Sequence, residues 1–345
     1  MNEALDCSFL PDPACRPLAV PRHERPVVVL GGGTGLSTLL RGLRPLCYPA
    51  AEEYRAEHGQ RLTAIVTVAD DGGSSGRLRR AYPVLAPGDI RNCLLALAGD
   101  ESRLQDLFAF RFNREVDSHS LGNLIITALA QLESDFTRAV ERAGEILGIR
   151  GRVLPATPDN VQIEAEFMDG SRITGESRIA QLRRPIRGVR LLPESCRALP
   201  QARAALREAA LIVIGPGSLY TSLLPTLLVP GIREALAESS ARVVLVQNLM
   251  TEPGETDGYT PADFVRALRS HLPGLRLDHV LINSTPIPGM ERLRYAAQGA
   301  QVVPTDSEGL AGLDCQPLFC DLLGAGPALR HDPAKLARTI MGLVQ

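Results

Sequence analysis

The sequence of 345 residues contains no tryptophan, and only 4% of its residues are aromatic. Platforms that stack the bases of single-stranded nucleic acid depend on aromatic side chains, so this scarcity argues against that class of protein. Basic residues are not in excess either, since the net charge is -2 and the pI is near 6.3. We therefore expect no nucleic-acid partner.

Membrane segments, secretion signals and paired cysteines are also missing. No apolar run approaches the roughly 20 residues of a membrane span. The first residues lack the basic and apolar regions of a signal peptide, so we expect none. The seven cysteines are scattered without a C-x-x-C pair. We interpret them as reduced, mostly buried thiols and not as a zinc site. The sequence thus predicts a cytoplasmic protein without membrane insertion and without a metal site of its own.

The order of strand and helix patterns predicts the fold class. Residues 1–25 are rich in proline, and we expect a flexible N-terminal arm. From residue 26 to 345, buried strands alternate with helices, which predicts an α/β domain with a mostly parallel, doubly wound sheet. Between about 150 and 192 the pattern changes, and Asp169-Gly170 predicts a hairpin turn. We interpret this part as a small antiparallel β element inserted into the domain.

A strand, a glycine turn and an amphipathic helix follow one another near the start of this domain. Val27–Leu30 is a run of four apolar residues, and leucines recur at helical spacing after Gly35. Glycines let the backbone approach a ligand, and a helix N-terminus directs free N–H groups at it. Leu36 stands where a dinucleotide fingerprint has its third small residue, so a tight turn without a ligand is the alternative. The predicted phosphate-binding residues are Gly32, Gly33, Thr34 and Gly35.

The second predicted strand, residues 62–68, ends in an acidic, glycine-rich tail. Asp70 and Asp71 follow it, and Ser74, Ser75 and Gly76 come next. Ligands of open parallel sheets bind beyond the carboxyl ends of the strands. The two carboxylates are therefore candidates to hold sugar hydroxyls, a divalent cation or a substrate proton. The alternative is a solvent-exposed Asp-Gly turn without a ligand.

A charged segment follows at residues 87–92. Asp89 is the expected N-cap of the helix that carries Leu94 and Leu97, and Arg91 then lies in the first turn. A cation there opposes the helix dipole unless an anion is nearby. We therefore predict that Asp89 and Arg91 contribute to a ligand site, with plain surface exposure of Arg91 as the alternative.

Three later segments also place glycines and polar residues at the end of a strand or the start of a helix. The apolar helix of residues 124–132 opens with a glycine and an amide side chain, which suits an anion. The strand 210–214 leads into a second glycine turn, and the strand 243–246 into a polar, acidic segment. Because the ends of parallel strands share one edge, we expect a common pocket for a phosphorylated sugar or nucleotide. These segments contribute the candidate ligand residues Gly122, Asn123, Gly215, Pro216, Gly217, Ser218, Asn248, Thr251, Gly254 and Glu255.

Together these segments resemble the bacterial YvcK family of gluconeogenesis factors, relatives of CofD, the 2-phospho-L-lactate transferase of deazaflavin cofactor synthesis. The resemblance covers about residues 26–330. It implies a Rossmann-like fold and a cytoplasmic protein that binds a UDP-sugar, or an NAD-like dinucleotide in the same cleft. It also implies a role in carbon metabolism on gluconeogenic substrates and in cell shape and cell-wall synthesis. The segments that carry it are Gly31–Leu36, Asp70–Gly76, Pro87–Arg91, His119–Asn123, Gly215–Ser222 and Asn248–Thr256.

The two branches of this family imply different activities. In the CofD branch an aspartate of the acidic tail and the arginine of the D-x-R segment contact the deazaflavin acceptor. The matching residues, Asp70 or Asp71 and Arg91, are therefore candidate catalytic residues of a phosphoryl-group transferase that uses Mg²⁺. Ser74–Gly76 and Met250–Thr256 are closer to the YvcK branch, which favours a nucleotide-sugar-binding regulator without turnover. Mg²⁺ is then expected only with nucleotide. A homo-oligomer and protein partners from cell-wall synthesis or metabolism remain open.

Overall fold

The computed structural model describes residues 24–99, 103–113, 118–306, 308–326 and 328–344. The expected N-terminal arm lies outside these ranges, except for residues 24 and 25. Cys7 and Cys15 lie outside them too. Five cysteines lie within these ranges, and three of them, Cys47, Cys93 and Cys196, are buried. Within these ranges no helix combines the length and the apolar character that a bilayer crossing requires.

Ten strands and thirteen α-helices make up the described part of the chain. The strands are β1 (Val27–Gly31), β2 (Leu62–Val66), β3 (Arg152–Pro155), β4 (Gln162–Phe167), β5 (Arg172–Thr174), β6 (Ile186–Leu192), β7 (Leu211–Ile214), β8 (Arg242–Val246), β9 (His279–Asn283) and β10 (Gln316–Cys320). The helices are α1 (Gly33–Cys47), α2 (Gly73–Ala81), α3 (Pro87–Leu97), α4 (Arg103–Ala109), α5 (Leu121–Glu133), α6 (Phe136–Leu147), α7 (Glu176–Leu182), α8 (Pro200–Glu208), α9 (Leu224–Leu227), α10 (Ile232–Glu238), α11 (Pro261–His271), α12 (Gly289–Ala296) and α13 (Pro333–Met341).

The main sheet is seven-stranded and parallel, in the order β10-β9-β8-β7-β1-β2-β3. The chain starts at the centre with β1, moves out to β3, and returns to β7 beside β1. The strand order therefore reverses between β1 and β7, which makes this the switch point where ligands of such sheets bind. The Rossmann-like, doubly wound α/β fold predicted from the sequence is confirmed.

Helices cover both faces of this sheet, because its central strands are apolar on both sides. Val27 and Val29 of β1 pack into a core with residues of α1, α3 and α13. Val28 and Leu30 point to the opposite core, which is shared with α8, α10 and α11. Strands buried on both faces are typical of parallel sheets, and they hold the loops at their carboxyl ends in place.

The inserted antiparallel element is present as the three-stranded sheet β5-β4-β6. β4 and β5 form the hairpin expected around Asp169-Gly170, and β6 pairs with β4 from the other side. Phe167 and Ile163 pack this sheet into the same core as β7 and α11. The structure shifts the start of the insertion: β3 pairs with β2 in the main sheet, so the insertion begins after Pro155 and not at about 150.

The expected capping role of Asp89 is wrong. Helix α3 begins at Pro87, and Ala86 is its N-cap residue, so Asp89 lies within the first turn. Proline is favoured at the first helical position because its fixed φ suits the helix and its missing N–H costs no bond there. Arg91 consequently lies in the second turn, and it is buried with 8% of its surface exposed. The alternative of plain surface exposure is excluded.

Other elements differ from expectation in smaller ways. The acidic tail does not stay a loop, because α2 begins at Gly73. Met250 and Val302 form a single antiparallel bridge outside the strands. The strands β6 and β10 and the helix α12 were not anticipated.

Candidate functional site

The two glycine turns meet at the switch point of the sheet. Gly33 and Gly215 have φ values of +69° and +80°, which favour glycine. A Cβ atom on Gly35 would lie 2.4 Å from the Pro216 carbonyl oxygen, and one on Gly217 would lie 3.4 Å from the Gly32 carbonyl oxygen. The turns therefore touch through their backbones, and the N-terminus of α1 opens between them.

A cavity of about 440 Å³ lies above this contact. Most residues predicted for the two glycine turns and for the segment after β8 line it. Asn248 is held there by a hydrogen bond that its Nδ2 donates to the Gly217 carbonyl oxygen at 3.1 Å. The predicted residues that line the cavity are Gly32, Gly33, Thr34, Gly35, Pro216, Gly217, Ser218, Asn248 and Thr251.

Asp89 joins the first glycine turn to the acidic tail. The Gly33 N–H donates to its carboxylate, and a Cβ on Gly32 would lie 2.6 Å from its Oδ2. Burial raises the pKa of Asp89 to about 6, against the lowering effect of the Gly33 N–H, and the charge of Asp70 raises it further. Asp89 thus holds the first glycine turn in place, and it does not line the cavity itself.

The other predicted residues of the acidic tail have local partners. Asp70 accepts the Gly72 N–H at 2.8 Å, and Asp71 accepts the Ser177 N–H at 2.8 Å. Asp71 therefore ties the tail to the start of α7 in the inserted element. A Cβ on Gly76 would lie 1.7 Å from the Asp71 carbonyl oxygen, so this glycine allows α2 to pack on its own tail. A direct ligand role for Asp70 and Asp71 stays a prediction.

Glu176, which was not predicted, belongs to the same acidic group. Burial raises its pKa to about 7, and the charges of Asp70, Asp71 and Asp89 raise it further. Mutual repulsion of this kind marks a place where a cation or a proton is favoured. No sequence pattern could have revealed it, because Glu176 reaches the group from the inserted element.

Arg91 is a buried cation that donates hydrogen bonds to two neutral side chains. It donates to Asn123 Oδ1 at 2.9 Å and to Asn92 Oδ1 at 2.7 Å, and its Nε has no partner among the described residues. Burial lowers its pKa, and so does the charge of Arg111, whereas Asp89 raises it. Arg91 does not line the cavity, but a buried guanidinium with uncharged partners favours an anion close by.

The predicted segment at the start of α5 supports this arginine. A Cβ on Gly122 would lie 2.8 Å from Arg91 Cδ, so the glycine provides room for the side chain. Asn123 accepts from Arg91 and donates to Ser74 Oγ at 3.1 Å, and Ser74 Oγ lies 2.9 Å from His119 Nδ1. The structure thereby brings together residues of α2, α3 and α5 that are distant in the sequence.

Two glutamates of the segment after β8 form a buried acid pair. Glu252 and Glu255 hydrogen-bond to each other, and Glu252 also bonds to the Ser218 side chain. Burial raises both pKa values, and the neighbouring Glu252 helps to raise that of Glu255 to about 9. The pair therefore keeps a proton at neutral pH, which reduces the negative charge that a bound phosphate would meet. Glu252 lines the cavity, whereas the predicted Glu255 and Gly254 lie behind it.

Several residues that line the cavity are not predicted from the sequence. Arg183 follows α7, whereas Tyr295 and Gln298 lie in and after α12. His331 precedes α13 and is buried, which lowers its pKa to about 4, and it bonds to the Gln247 backbone carbonyl. Its Nε2 has no partner among the described residues. Arg330 is the remaining cation of the lining. These residues come from elements without a glycine turn or an acidic motif, so no local sequence pattern marks them.

Comparison with known proteins identifies relatives over most of the chain. The family model described as 2-phospho-L-lactate transferase CofD matches residues 27–323. The gluconeogenesis factor of Bacillus subtilis (strain 168) is 42% identical over 92% of this chain and 98% of its own length. That of Listeria monocytogenes is 40% identical over 92% of this chain and 95% of its own length. A crystal structure of a UPF0052 family member from Bacillus halodurans superposes with a TM-score of 0.85 at 42% identity, over 92% of this chain and 99% of that one.

Proposed function

The chain belongs to the CofD family, with the bacterial gluconeogenesis factors among its relatives, and on this basis we propose that it is a cytoplasmic, nucleotide-sugar-binding regulator. Its ligand is a UDP-sugar, or an NAD-like dinucleotide in the same cleft. Through this ligand it links carbon metabolism to cell shape and cell-wall synthesis.

The observation that carries the proposal is the cavity at the contact of the two glycine turns. Its volume of about 440 Å³ falls in the range of small-ligand sites. The glycine turns and the start of α1 line it, and they suit a diphosphate. Leu249, Met250 and Leu329, which pack in one apolar cluster, also line it, with polar groups from Thr251 and His331. An apolar wall with a few polar groups suits a nucleoside.

Binding without turnover is favoured because the carboxylates near the glycine turns have structural partners. Asp70, Asp71 and Asp89 each accept a backbone N–H. Among the described residues, no group of three acidic, histidine or cysteine side chains is arranged to hold a metal ion. Mg²⁺ fits this site only if a nucleotide supplies phosphate ligands beside one or two carboxylates. It would then neutralise charge between Asp70 or Glu176 and the phosphates.

The second candidate is a CofD-like phosphoryl-group transferase that uses Mg²⁺. The observation that favours it is Arg91, a buried guanidinium beside the acidic tail with an unpartnered Nε. A transferase needs such a cation to stabilise the charge of a transferring phosphoryl group.

The first test is calorimetric titration of the purified protein with UDP-glucose and with NAD, together with native mass spectrometry of the ligand that copurifies. The proposal expects a nucleotide ligand and saturable binding at one site. A second experiment incubates the protein with Mg²⁺, labelled UDP-sugar and cell extract. Release of UDP or UMP that is lost in Arg91→Ala would establish the transferase and overturn the regulator.

A further inference from the structure

The inserted antiparallel element places one arginine at the nucleotide cavity. Arg183, the residue after α7, lines the cavity together with the glycine turns. Arg184, its neighbour, has different contacts: its guanidinium lies 4.9 Å from the Phe167 ring centroid and pairs with Asp169. One of two consecutive arginines is therefore committed to the small sheet, and the other faces the cavity.

The backbone of Arg183 is fixed by a direct contact with the segment after β8. A Cβ atom on Gly254 would lie 2.2 Å from the carbonyl carbon of Arg183 and 2.3 Å from its Cα. The same segment contributes Thr251 and Glu252 to the cavity. Because the two backbones touch, the position of Arg183 relative to the cavity is set by the fold and not by a flexible loop.

The backbone conformation of Arg183 is unusual for an arginine. Its φ of +47° is the left-handed conformation that ends α7, where glycine or asparagine is usual. An arginine in this conformation is uncommon and costs backbone energy. Residues that keep such a conformation are concentrated at ligand sites.

The side chain of Arg183 has only a weak partner in the described structure. Its Nη1 donates to the Gln298 carbonyl oxygen at 3.3 Å, and the residue is exposed. This single contact with a neutral oxygen leaves most of the guanidinium donors available. Guanidinium groups bind phosphates through two parallel hydrogen bonds, which are stronger than bonds to neutral oxygens.

We infer that Arg183 is a phosphate clamp: it leaves the Gln298 carbonyl and pairs with the diphosphate that the glycine turns hold. This inference rests on the proposed function, since it requires a nucleotide diphosphate in the cavity. It gives the inserted element a function, because Arg183, the residue after α7, brings that element to the cavity. Glu252 of the acid pair lines the same cavity, and its partner Glu255 lies behind it.

The test compares Arg183→Ala with Arg187→Ala in the full chain. Arg187 lies on β6 of the same sheet, pairs with Glu166 and does not line the cavity, so it is the matched control. Calorimetry should show that Arg183→Ala raises the Kd for UDP-glucose about 10- to 100-fold, the range for a charge-assisted bond, whereas Arg187→Ala changes it less than about 2-fold. Arg183→Asn separates backbone strain from charge, since asparagine tolerates positive φ. It should weaken binding as much as alanine does.

Ligands without phosphate make the test specific. Uridine binding, followed by saturation-transfer NMR, should be the same in the wild type and in Arg183→Ala, because the clamp contacts only phosphate. An unchanged Kd for UDP-glucose in both Arg183 variants overturns the inference and leaves the proposed function intact. A wild type that binds neither UDP-glucose nor NAD overturns both. If Arg183→Ala lowered the affinity for uridine and for UDP-glucose equally, Arg183 would support the fold of the site and would not be a clamp.

Discussion

Gly35 and the Pro216 carbonyl oxygen lie so close that a Cβ on Gly35 would stand 2.4 Å from that oxygen. The first turn of α1 and the turn after β7 are thus packed backbone against backbone. These two turns lie on either side of the point where the strand order reverses. Their contact fixes the geometry of the cavity where the two turns line it.

Replacing Gly35 by alanine should therefore separate the two turns. The new methyl group meets backbone atoms, which cannot rotate away, so the turns must shift. We expect a thermal midpoint several degrees lower, corresponding to about 1–3 kcal/mol, and loss of UDP-sugar binding in calorimetry. Gly312→Ala is the control, because a Cβ there meets no atom within 4 Å. Wild-type binding in Gly35→Ala would contradict the importance of this contact.

Arg91 offers a second prediction. If the protein only binds, Arg91→Ala should lower the affinity for a UDP-sugar by about 1–3 kcal/mol, the range for a lost charge-assisted contact. No nucleotide release should be lost with it, since none occurs. Asn92→Ala removes a partner of Arg91 but keeps the cation, and it should have a smaller effect on affinity. Equal affinity of Arg91→Ala and the wild type would remove this residue from the ligand site.

The central strands and the glycine turns that follow them can be predicted from the sequence, because each has a simple local pattern. The central strands of the main sheet are apolar on both sides, so Val27–Leu30 and residues 210–214 are recognisable from the sequence alone. The glycine turns follow such strands directly, and the rule that parallel strand ends share an edge brought them together. β10 was missed because its residues alternate less clearly and three of its five are only partly buried.

The lining residues outside the glycine turns and the segment after β8 could not be predicted in the same way. α12 contains no buried residue, so no apolar periodicity marks it. Arg183 lies at the cavity because its backbone contacts Gly254, a contact between segments that are distant in the sequence. Asp89 was misplaced because Pro87 defines the start of α3 more strongly than an acidic residue two positions later.

The acid pair behind the cavity predicts an effect of pH on stability. The pKa of Glu255 is raised from 4.5 to about 9 in the folded protein. A carboxyl that resists ionisation in the folded state lowers the free energy of unfolding progressively as the pH rises from about 4.5 to about 9. The thermal midpoint should therefore fall across this range. Glu255→Gln, which cannot ionise, should flatten this dependence, whereas Glu208→Gln on the exposed end of α8 should leave it unchanged.

The inserted sheet should unfold together with the main domain. Phe167 of β4 is buried in the same core as β7 and α11. Phe167→Ala should lower the free energy of unfolding by about 3–5 kcal/mol, as expected for a large side chain removed from a core. Denaturant unfolding followed by circular dichroism should still show a single transition. Two transitions in the variant would mean that the sheet is an independent unit, and its contact at Gly254 would then not fix Arg183.

The last prediction concerns Mg²⁺. Asp70, Asp71, Asp89 and Glu176 raise the local negative charge, and the pKa values of Asp89 and Glu176 are raised to about 6 and about 7. Protons already relieve part of this repulsion near neutral pH. In addition, Mg²⁺ in nucleotide sites takes one or two carboxylates and completes its shell with phosphates and water. We therefore expect little Mg²⁺ binding in calorimetry of the ligand-free protein.

With a UDP-sugar present, Mg²⁺ should bind measurably and displace these protons. Its affinity should therefore increase as the pH rises from about 6 to about 8, because the carboxyls of Asp89 and Glu176 ionise in that range. Titrations in buffers of different ionisation enthalpy would count the protons released. Glu176→Gln should reduce both the affinity and the proton release, whereas Glu141→Gln on the exposed face of α6 should change neither. Tight binding of Mg²⁺ to the ligand-free protein would show that the carboxylates form a metal site without the nucleotide, and it would favour the transferase over the regulator.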